Sequence, residues 1–349
     1  MSRSRITIVG TGLIGASVGL SLMSRKDRQY EVVGIDRDRD HARTAKKMGA
    51  VDREVPSLEE AFEGAGLIVL AVPVQGARKI LEEGSTYLSE GAIVTDTCST
   101  KADIMRWAAE FLPETVHFVG GHPMAGKETS GPGASSAEMF KGATWAITPS
   151  PRAHEGAVGT VLGMVESLGA IPLYIDATEH DTYAAAVSHV PILLSVALFR
   201  MVRDSKGWED ASLLAGPAFR DLTRLASGDS AMSRDIMATN REAILHWLAR
   251  FQDELSAARK ALEEGGQTVT DMFASTQLDR DNFITNPPVR RRPDGPEAPS
   301  SQDALGRLFV GGLYDKLKEA SQRATAPRTD DGSLRRKLEG DNADRNGER

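Results

Sequence analysis

A short apolar run that leads into a glycine motif places the strongest constraint on the fold. The run "ITIVG" (6–10) continues into "GTGLIG" (10–15), whose glycines fill the three fixed positions of a G-x-G-x-x-G pattern. A helical pattern follows, and Asp36 ends the next apolar run about 20 residues further on. A strand, a glycine turn, a helix and an acidic residue in this order predict a βαβ unit that binds a dinucleotide.

The glycine motif gives a role to each of its residues. Gly10 permits the tight turn, Gly12 lets a pyrophosphate approach the backbone, and Gly15 lets the helix pack closely on the strand. Leu13 and Ile14 begin the helix, whose free N–H groups and partial positive charge favour phosphate. A glycine turn before any buried helix is the structural alternative. The surrounding pattern favours cofactor binding, so all five residues are candidate cofactor contacts.

Residues near the turn bear on the choice of cofactor. Asp36 favours NAD, because its carboxylate would accept hydrogen bonds from the adenosine ribose and would repel a 2′-phosphate. Arg37 and Arg39 act in the opposite direction, since an arginine can hold a 2′-phosphate. Val72 and Pro73 end a third apolar run and complete the set of candidate contacts. We expect NAD as the cofactor and leave the strictness of its preference over NADP open.

Short apolar runs alternate with helical patterns throughout the first 150 residues. Strand–helix alternation with continuously apolar strands predicts a Rossmann-like, doubly wound parallel sheet that helices cover on both faces. The predicted strands are 6–10, 30–36, 67–73, 92–97, 117–123 and 143–149. The fold class expected for this half is therefore α/β.

The second half of the chain is predicted to be an all-α domain. The helical pattern starts with Thr178 as a candidate N-cap and continues to about Glu264. Its first helix is apolar on several faces, so we expect it to be buried all round, with a subunit interface taking up the surplus surface. The predicted regions are a nucleotide-binding domain (1–175), a helical substrate and dimerisation domain (176–285), and a linker, candidate docking helix and disordered tail (286–349).

Composition narrows the range of partners and compartments. The formal net charge of −7 argues against a nucleic-acid partner. The single cysteine, Cys98, excludes an internal disulfide framework and fits a reducing compartment. Neither a secretory segment nor a run of 18 consecutive apolar residues is evident. We expect a cytoplasmic protein with neither nucleic acid nor membrane as a partner.

A histidine lies in a segment that has little packing value. The segment "GGHPMAGKETSG" (120–131) places His122 between two glycines and a proline, and "VTDTCSTKADI" (94–104) places Ser99 just beyond the preceding predicted strand. Ligands of open parallel sheets bind outside the carboxyl ends of the strands, so we expect Ser99 and His122 to face one crevice beside the cofactor. A histidine that only satisfies backbone groups, and a serine that only caps a helix, are the structural alternatives.

Five segments in order resemble the prephenate dehydrogenase family, which also includes arogenate and cyclohexadienyl dehydrogenases. They are "VGTGLIGASVG", "TDTCSTK", "GGHPMAGKETSG", "AAVSHVPILLS" and "FRDLTRLASGDSAMSRDI". The resemblance implies an oxidative decarboxylation in tyrosine biosynthesis. A hydride leaves the carbinol carbon of a cyclohexadienol for NAD, the ring carboxylate departs as carbon dioxide, and the ring becomes a phenol.

The resemblance also implies roles for individual residues. His122 corresponds to the catalytic histidine, which accepts the hydrogen bond of the substrate hydroxyl, and Ser99 corresponds to a residue that orients it and touches the nicotinamide side. A neutral imidazole suits this task at neutral pH.

Further residues are implied on the substrate side of the site. His189 borders the substrate pocket and Arg224 grips the substrate carboxylate, with Asp221 as its brace and Glu128 as a further contact. Bidentate pairing with a carboxylate explains why an arginine serves here. A core histidine and a solvated ion pair on a helix face are the respective alternatives.

The sequence predicts an NAD-dependent enzyme that converts prephenate to 4-hydroxyphenylpyruvate, acting as a homodimer through its helical domain. An arogenate or cyclohexadienyl dehydrogenase that gives tyrosine directly is the nearest alternative, and a non-catalytic NAD-binding regulator is a distant one. A hydroxyacid dehydrogenase of the same architecture would need a lysine on the first helix of the second domain, where this sequence has His189. No metal site is expected, because the seven histidines are scattered.

Overall fold

The computed structural model describes residues 4–26 and 28–287, and these contain an eight-stranded sheet. Its strands are β1 (Ser4–Val9), β2 (Tyr30–Ile35), β3 (Arg53–Glu54), β4 (Ala65–Leu70), β5 (Ile93–Asp96), β6 (His117–Pro123), β7 (Thr144–Pro149) and β8 (Ile171–Tyr174). Their order across the sheet is β3-β2-β1-β4-β5-β6-β7-β8. All six strands that the sequence predicts are present, and the α/β class of this half is confirmed.

The sheet departs from the fully parallel arrangement at one pairing, so that β7 and β8 run opposite to the other six strands. The pairs from β3 to β6 are parallel, but β7 runs antiparallel to β6, with His122 opposite Ala146. A parallel neighbour would need a long crossover, usually a helix. The chain between β6 and β7 contains only the short 3₁₀ turn Pro132–Ala134, so β7 returns antiparallel. The prediction of a wholly parallel sheet was wrong at this edge.

Helices cover both faces of the sheet, as predicted. They are α1 (Leu13–Met23), α2 (Arg39–Lys47), α3 (Leu58–Phe62), α4 (Val74–Gly84), α5 (Ala102–Phe111) and α6 (Glu155–Ser167). Neighbouring residues of one strand enter different cores, because side chains alternate between the two faces of a strand. In β4, Leu67 and Val69 belong to the core cluster on one face, whereas Ile68 and Leu70 belong to the cluster on the other.

The chain beyond β8 is helical as far as the structure describes it. The helices are α7 (Ala177–Ala184), α8 (Val190–Arg203), α9 (Trp208–Leu213), α10 (Pro217–Thr223), α11 (Ser230–Thr239), α12 (Arg241–Glu264) and α13 (Gly266–Thr285). The all-α second half is therefore confirmed. Residues 288–349 lie outside the described residues. The predicted docking helix, the predicted disordered tail and the part of the predicted linker after residue 287 therefore lie outside them too.

The first helix of this half begins earlier than the sequence predicts. Asp176 is the N-cap, because its side chain accepts hydrogen bonds from the backbone N–H groups of Thr178 and Glu179. Aspartate is a stronger N-cap residue than threonine, so the assignment of the cap to Thr178 was wrong by two positions.

A π-helical turn, Ala185–His189, joins α7 to α8. Pro191 follows two residues later and has no backbone N–H to donate to the preceding turn. A single π turn inside a longer helix absorbs such a break and commonly occurs at functional sites. The turn carries His189, which the sequence marks as a candidate substrate contact.

The long helix formed by α7, the π turn and α8 is far from buried all round. Tyr183 is 52% exposed, Val187 70% and Met201 67%, so that prediction was wrong for a single chain. By length and composition the helix Ala177–Arg203 could also cross a membrane. One such helix is weak evidence for a membrane span. The criterion of consecutive apolar residues missed it because Ser188, His189 and Ser195 interrupt the run.

Candidate active site

The glycine turn after β1 has the shape that a pyrophosphate requires. Gly10 has a φ of +91°, and a Cβ at this position would lie 2.3 Å from the carbonyl oxygen of Ala71. A Cβ on Gly15 would lie 1.8 Å from the carbonyl oxygen of Gly10, so only glycine lets α1 approach β1 this closely. A Cβ on Gly12 would meet nothing within 4 Å, so open space lies beside the backbone where α1 begins. The residues present fit a dinucleotide at this turn.

The other candidate cofactor residues gather around the same turn. Asp36 Oδ2 accepts hydrogen bonds from Thr11 N at 2.7 Å and from Thr11 Oγ1 at 3.3 Å, while its Oδ1 accepts from Asp38 N at 2.9 Å. The end of β2 therefore holds the glycine turn in place. Arg37 next to it is exposed.

The loop after β4 and the start of α1 complete this edge of the sheet. Val72 contacts the glycine turn, since a Cβ on Gly10 would lie 2.6 Å from its Cγ1. Pro73 is the N-cap residue of α4, and Leu13 and Ile14 are the first residues of α1. The structure thus brings the sequence-predicted cofactor residues together at the carboxyl ends of β1, β2 and β4.

His122 lies near the end of β6 and is buried, with 7% of its surface exposed. Its Nδ1 is 2.8 Å from Nε2 of His180 on α7, and Nδ1 of His180 is 2.8 Å from Oδ1 of Asp181. The helical half therefore supplies the hydrogen-bond partner of the histidine on the sheet.

The glycine directly before His122 is required by close packing. A Cβ on Gly121 would lie 2.6 Å from the carbonyl oxygen of Asp96, which is backbone and cannot give way easily. A Cβ on Gly120 would lie 2.9 Å from Sδ of Met105, a flexible side chain that can shift. Gly121 thus lets β6 lie close to β5 and positions the histidine that follows it.

An ion pair is fully buried beneath this part of β6. Lys101 Nζ contacts Asp96 Oδ2, and both side chains have no exposed surface. Asp96 Oδ2 also accepts a hydrogen bond from Cys98 N at 2.9 Å, and Asp96 Oδ1 accepts one from Gly121 N at 3.0 Å. Buried charges persist only when they are paired and hydrogen-bonded in this way. The sequence placed Asp96 and Lys101 next to a strand end but gave no signal that they are buried.

The surroundings of His122 favour its neutral form. Burial is the main reason why the pKa of His122 lies well below the ordinary value for histidine. The neighbouring His180, Lys101 and His189 lower this pKa further. A neutral imidazole at physiological pH is able to accept a proton.

His189 is fully buried beside this histidine pair. Its Nδ1 accepts a hydrogen bond from Asn240 Nδ2 at 3.0 Å, and the same amide nitrogen donates to the carbonyl oxygen of Asp181 at 2.7 Å. Its Nε2 meets no hydrogen-bond partner among the described residues. A neutral His189 therefore carries its proton on Nε2, and the backbone of Ser99 lies near its ring.

Burial is the largest influence on His189 and lowers its pKa to about 4. His180 lowers this pKa too, whereas Asp181 and the backbone of Ser99 raise it. The backbone of Ser99 thus lies beside His189, in the bend between β5 and α5. A hydrogen bond between Ser99 and His122 is absent from the described residues, and Nδ1 of His122 contacts His180. The orienting role of Ser99 stays a prediction.

Arg224 and Glu128 form an ion pair between the two halves of the chain. Arg224 begins the 3₁₀ turn Arg224–Ser227, and Glu128 lies in the loop that leaves β6, six positions beyond His122. The ion pair thus connects Arg224, which the resemblance implies to bind substrate, to the loop that follows His122. Asp221 is exposed and makes no ion pair with Arg224 in the part of the chain that the structure describes. Its bracing role stays a prediction.

Residues 4–26 and 28–287 contain no group of three or more metal-ligating side chains. The residues beside the candidate site that the sequence did not single out are His180, Asn240 and the pair Asp96 and Lys101. The sequence of α7, "ATEHDTYA", is largely polar, so its pattern gave no signal that His180 is buried.

Comparisons with known proteins agree with this class of fold, a nucleotide-binding sheet followed by a helical domain. The family described as "Prephenate dehydrogenase, nucleotide-binding domain" matches residues 19–173, and "Prephenate dehydrogenase, dimerization domain" matches residues 176–276. A prephenate dehydrogenase of Lactococcus lactis subsp. cremoris is 33% identical over 273 residues, which cover 77% of this chain and 74% of that protein.

Solved structures are similar over most of this chain. The prephenate dehydrogenase of A. aeolicus, in complex with hydroxyphenyl propionate and NAD+, is 27% identical with a TM-score of 0.75, covering 81% of this chain and 99% of that one. The arogenate dehydrogenase of Synechocystis is 27% identical with a TM-score of 0.67, covering 80% and 99%. The chain belongs to the prephenate dehydrogenase family of NAD-dependent oxidoreductases.

Proposed function

We propose that this chain catalyses the NAD-dependent oxidative decarboxylation of prephenate to 4-hydroxyphenylpyruvate in tyrosine biosynthesis. The observation that carries the proposal is a neutral, buried His122 at the edge of the sheet where the glycine turn also lies. Bound NAD supplies a hydride acceptor for the carbinol carbon of the substrate. The nine residues proposed to hold it are Gly10, Gly12, Leu13, Ile14, Gly15, Asp36, Arg37, Val72 and Pro73.

His122 acts as the proton acceptor in this proposal. Its unprotonated nitrogen takes the proton of the substrate hydroxyl as the hydride departs. General-base assistance of this kind contributes about 10²–10⁴ in rate, or roughly 3–5 kcal/mol. Formation of the aromatic ring supplies the remaining driving force from the substrate itself, so a single base of modest strength suffices.

His189 and Ser99 form the pocket wall next to the base. The Nε2–H of His189 is a donor for an oxygen atom of the substrate, which accounts for a buried polar atom that the described protein residues do not satisfy. Ser99 contributes the orienting and nicotinamide-side contacts that the family resemblance implies.

Arg224 binds a carboxylate of the substrate. A guanidinium fork matches a carboxylate in a bidentate manner, and such a charge-assisted bond contributes about 1.5–3 kcal/mol. Support comes from its ion pair with Glu128, which shows that a carboxylate reaches this guanidinium. Glu128 and Asp221 are the further residues of this carboxylate site.

We also propose a cytoplasmic homodimer that assembles through the helical half. The chain would divide into a nucleotide-binding domain (1–175), a helical domain (176–285) and a C-terminal region (286–349). Large apolar side chains are exposed on the helical half, including Leu222, Phe273 and Leu278. The match to a family described as a dimerization domain supports the same assignment. Light scattering of the purified chain would report a single-chain mass if this part of the proposal fails.

The competing substrate is arogenate, which carries an amine in place of the keto group. Similar proteins include an arogenate dehydrogenase and a cyclohexadienyl dehydrogenase. Steady-state rates of NADH formation with prephenate and with arogenate, each repeated with NADP, would separate the candidates. We expect the highest kcat/KM with prephenate and NAD. Binding of NAD without turnover of either substrate would instead indicate a non-catalytic NAD-binding regulator.

A further inference from the structure

A chain of three polar side chains runs from the candidate base into the helical half. It joins His122 to His180 and His180 to Asp181, with 2.8 Å between the heavy atoms of each contact. The three residues are at most 7% exposed, so bulk water does not compete for their hydrogen bonds. Because each contact contains a single proton, the position of one proton fixes the position of the next.

Asp181 determines the donor-to-acceptor direction of these hydrogen bonds, because both of its oxygen atoms are acceptors. Oδ1 accepts a hydrogen bond from Lys101 N at 2.6 Å, and Oδ2 accepts one from Ala102 N at 2.8 Å. These N–H groups begin α5, which has no side-chain cap of its own, so a carboxylate on α7 caps α5. Since Oδ1 accepts here too, the proton between Asp181 and His180 belongs to Nδ1 of His180.

The remaining protons follow in order. A neutral His180 with its proton on Nδ1 has an unprotonated Nε2, which accepts a hydrogen bond from Nδ1–H of His122. A neutral His122 with its proton on Nδ1 has an unprotonated Nε2. The hydrogen bonds therefore leave Nε2 of His122 as the nitrogen that can take up a proton.

We propose that His180, held by Asp181, is a positioning residue that fixes His122 in the tautomer whose Nε2 accepts the proton of the substrate hydroxyl. The inference rests on the proposed function, in which His122 is the base. When Nε2 takes this proton, the positive charge formed on His122 is stabilised by the carboxylate of Asp181 through the intervening imidazole. The helical half thus sets the orientation and the protonation pattern of a residue on the sheet.

The first test measures the tautomer directly in the unmodified full-length chain. ¹⁵N-histidine labelling and long-range ¹H–¹⁵N spectra distinguish a protonated from an unprotonated ring nitrogen. The signals of His122 are assigned by their loss in His122→Asn. We expect a protonated Nδ1 and an unprotonated Nε2 for His122 at neutral pH. A protonated Nε2 on neutral His122 would overturn the inference, and this result requires no variant at position 180 to fold.

The second test changes the positioning residue. His180→Leu fills the buried space without a hydrogen-bonding atom, and we expect it to lower kcat about 10–100-fold. The upper end of this expectation equals the lower end of the rate loss for removal of a general base, about 10²–10⁴-fold. KM for the substrate should change by less than about twofold, because the base is misoriented while the carboxylate site is intact. The His122 spectrum of this variant should lose the pattern of a single Nδ1–H tautomer. Wild-type kcat in a folded variant would contradict the proposal.

A conservative variant provides the matched comparison. In His180→Gln the side-chain amide oxygen can accept from Nδ1–H of His122, so we expect kcat to recover by about tenfold over His180→Leu. His246→Leu, at an exposed position on α12, controls for the loss of a histidine. Equal kcat values for the Leu and Gln variants would contradict the proposal. Failure of the unmodified chain to turn over either substrate would remove the proposed function, whereas the tautomer measurement tests the positioning role separately.

Discussion

The two halves of the described chain bury apolar side chains to different extents. The sheet half contains two extensive clusters of buried residues, one on each face of the sheet. The main cluster of the helical half has four buried members, Ala185, Val190, Ile236 and Ile244. Leu213 and Leu214, also in the helical half, are each 85% exposed. The sheet half completes its core within one chain, whereas the helical half leaves large apolar side chains exposed.

This contrast separates the tasks of the site. The glycine turn and Asp36 lie in the sheet half and contact each other there. The candidate base, His122, also lies on the sheet, but its hydrogen-bond partner His180 belongs to the helical half. Cofactor binding should therefore depend on the sheet half alone, and the chemical step should depend on both halves.

The largest expected effect separates these two tasks. His122→Asn should cut turnover at least about a hundredfold, since it removes the proton acceptor, and should leave the affinity for NAD nearly unchanged. Steady-state kinetics and a titration with NAD measure the two quantities. His117→Asn, at the other end of β6, serves as the matched control. Undiminished turnover in His122→Asn would remove this residue from the mechanism and leave the contrast between the halves without a chemical basis.

The next effect concerns the stability of the helical half at acidic pH. Burial lowers the pKa of His189 to about 4 in the folded state, whereas an unfolded chain has the ordinary value of about 6.5. Below about pH 6.5 the unfolded state therefore binds a proton that the folded state does not. The free energy of unfolding should fall as the pH decreases from 6.5 to 4, by about 3 kcal/mol from this residue. Burial of His122 acts in the same direction.

Urea denaturation at fixed protein concentration across this pH range measures the slope of the free energy of unfolding against pH. His189→Asn should flatten it, because asparagine does not titrate and its oxygen can still accept from Asn240. His246→Asn, at an exposed position on α12, is the control and should retain the wild-type slope. An unchanged slope in His189→Asn would show that other groups cause the acid sensitivity.

The same contrast explains how much of the fold the sequence predicts. The sheet half was predictable because its signals are local, such as the glycine turn and the continuous apolar runs of strands like β4. β3 gave no such signal because it has two residues, and β8, "IPLY", contains a proline, which argues against a strand. The antiparallel direction of β7 depends on what fills the connection after β6, which hydrophobic periodicity does not report.

Candidate site residues could be named from the sequence where a motif or a resemblance marks single positions. The glycines, Asp36, His122 and Arg224 were named in this way, and their roles stay predictions. His180 was not named, because its contact joins residues 58 positions apart on different halves. The burial of Lys101 is likewise a tertiary property, since a lysine at the start of a helix is ordinarily exposed.

A pair of glycine substitutions separates cofactor binding from folding within the sheet half. Gly12→Ala meets no atom within 4 Å of its new Cβ, so we expect normal stability and weakened NAD binding. Gly15→Ala places its Cβ 1.8 Å from the carbonyl oxygen of Gly10 and should cost about 1–3 kcal/mol of stability. Thermal unfolding and NAD titration on both variants test this difference. Wild-type NAD affinity in Gly12→Ala would mean that the open space beside α1 does not receive the cofactor.

The smallest expected effect tests a hydrogen bond between the two halves. Thr239 Oγ1 donates to the carbonyl oxygen of Asp235 at 2.8 Å, so its 2.9 Å contact with Thr100 Oγ1 uses the hydroxyl proton of Thr100. Thr100 is fully buried, and Thr239→Val would leave its hydroxyl without an acceptor. We expect a loss of about 1 kcal/mol in the free energy of unfolding.

The double variant decides whether this cost arises from the contact itself. Replacing both Thr100 and Thr239 by valine removes donor and acceptor together, which is nearly neutral when the shape is kept, so the double variant should recover most of the loss. Thr276→Val on α13, whose exposed hydroxyl donates only to Met272 O within its own helix, should stay within about 0.5 kcal/mol of wild type. Urea denaturation of the wild type, Thr100→Val, Thr239→Val and the double variant provides the cycle, and Thr276→Val is measured beside them. Additive losses in the double variant would mean that the two halves are not coupled at this contact, and the dependence of the chemical step on both halves would then have to act through His180 and Asp181.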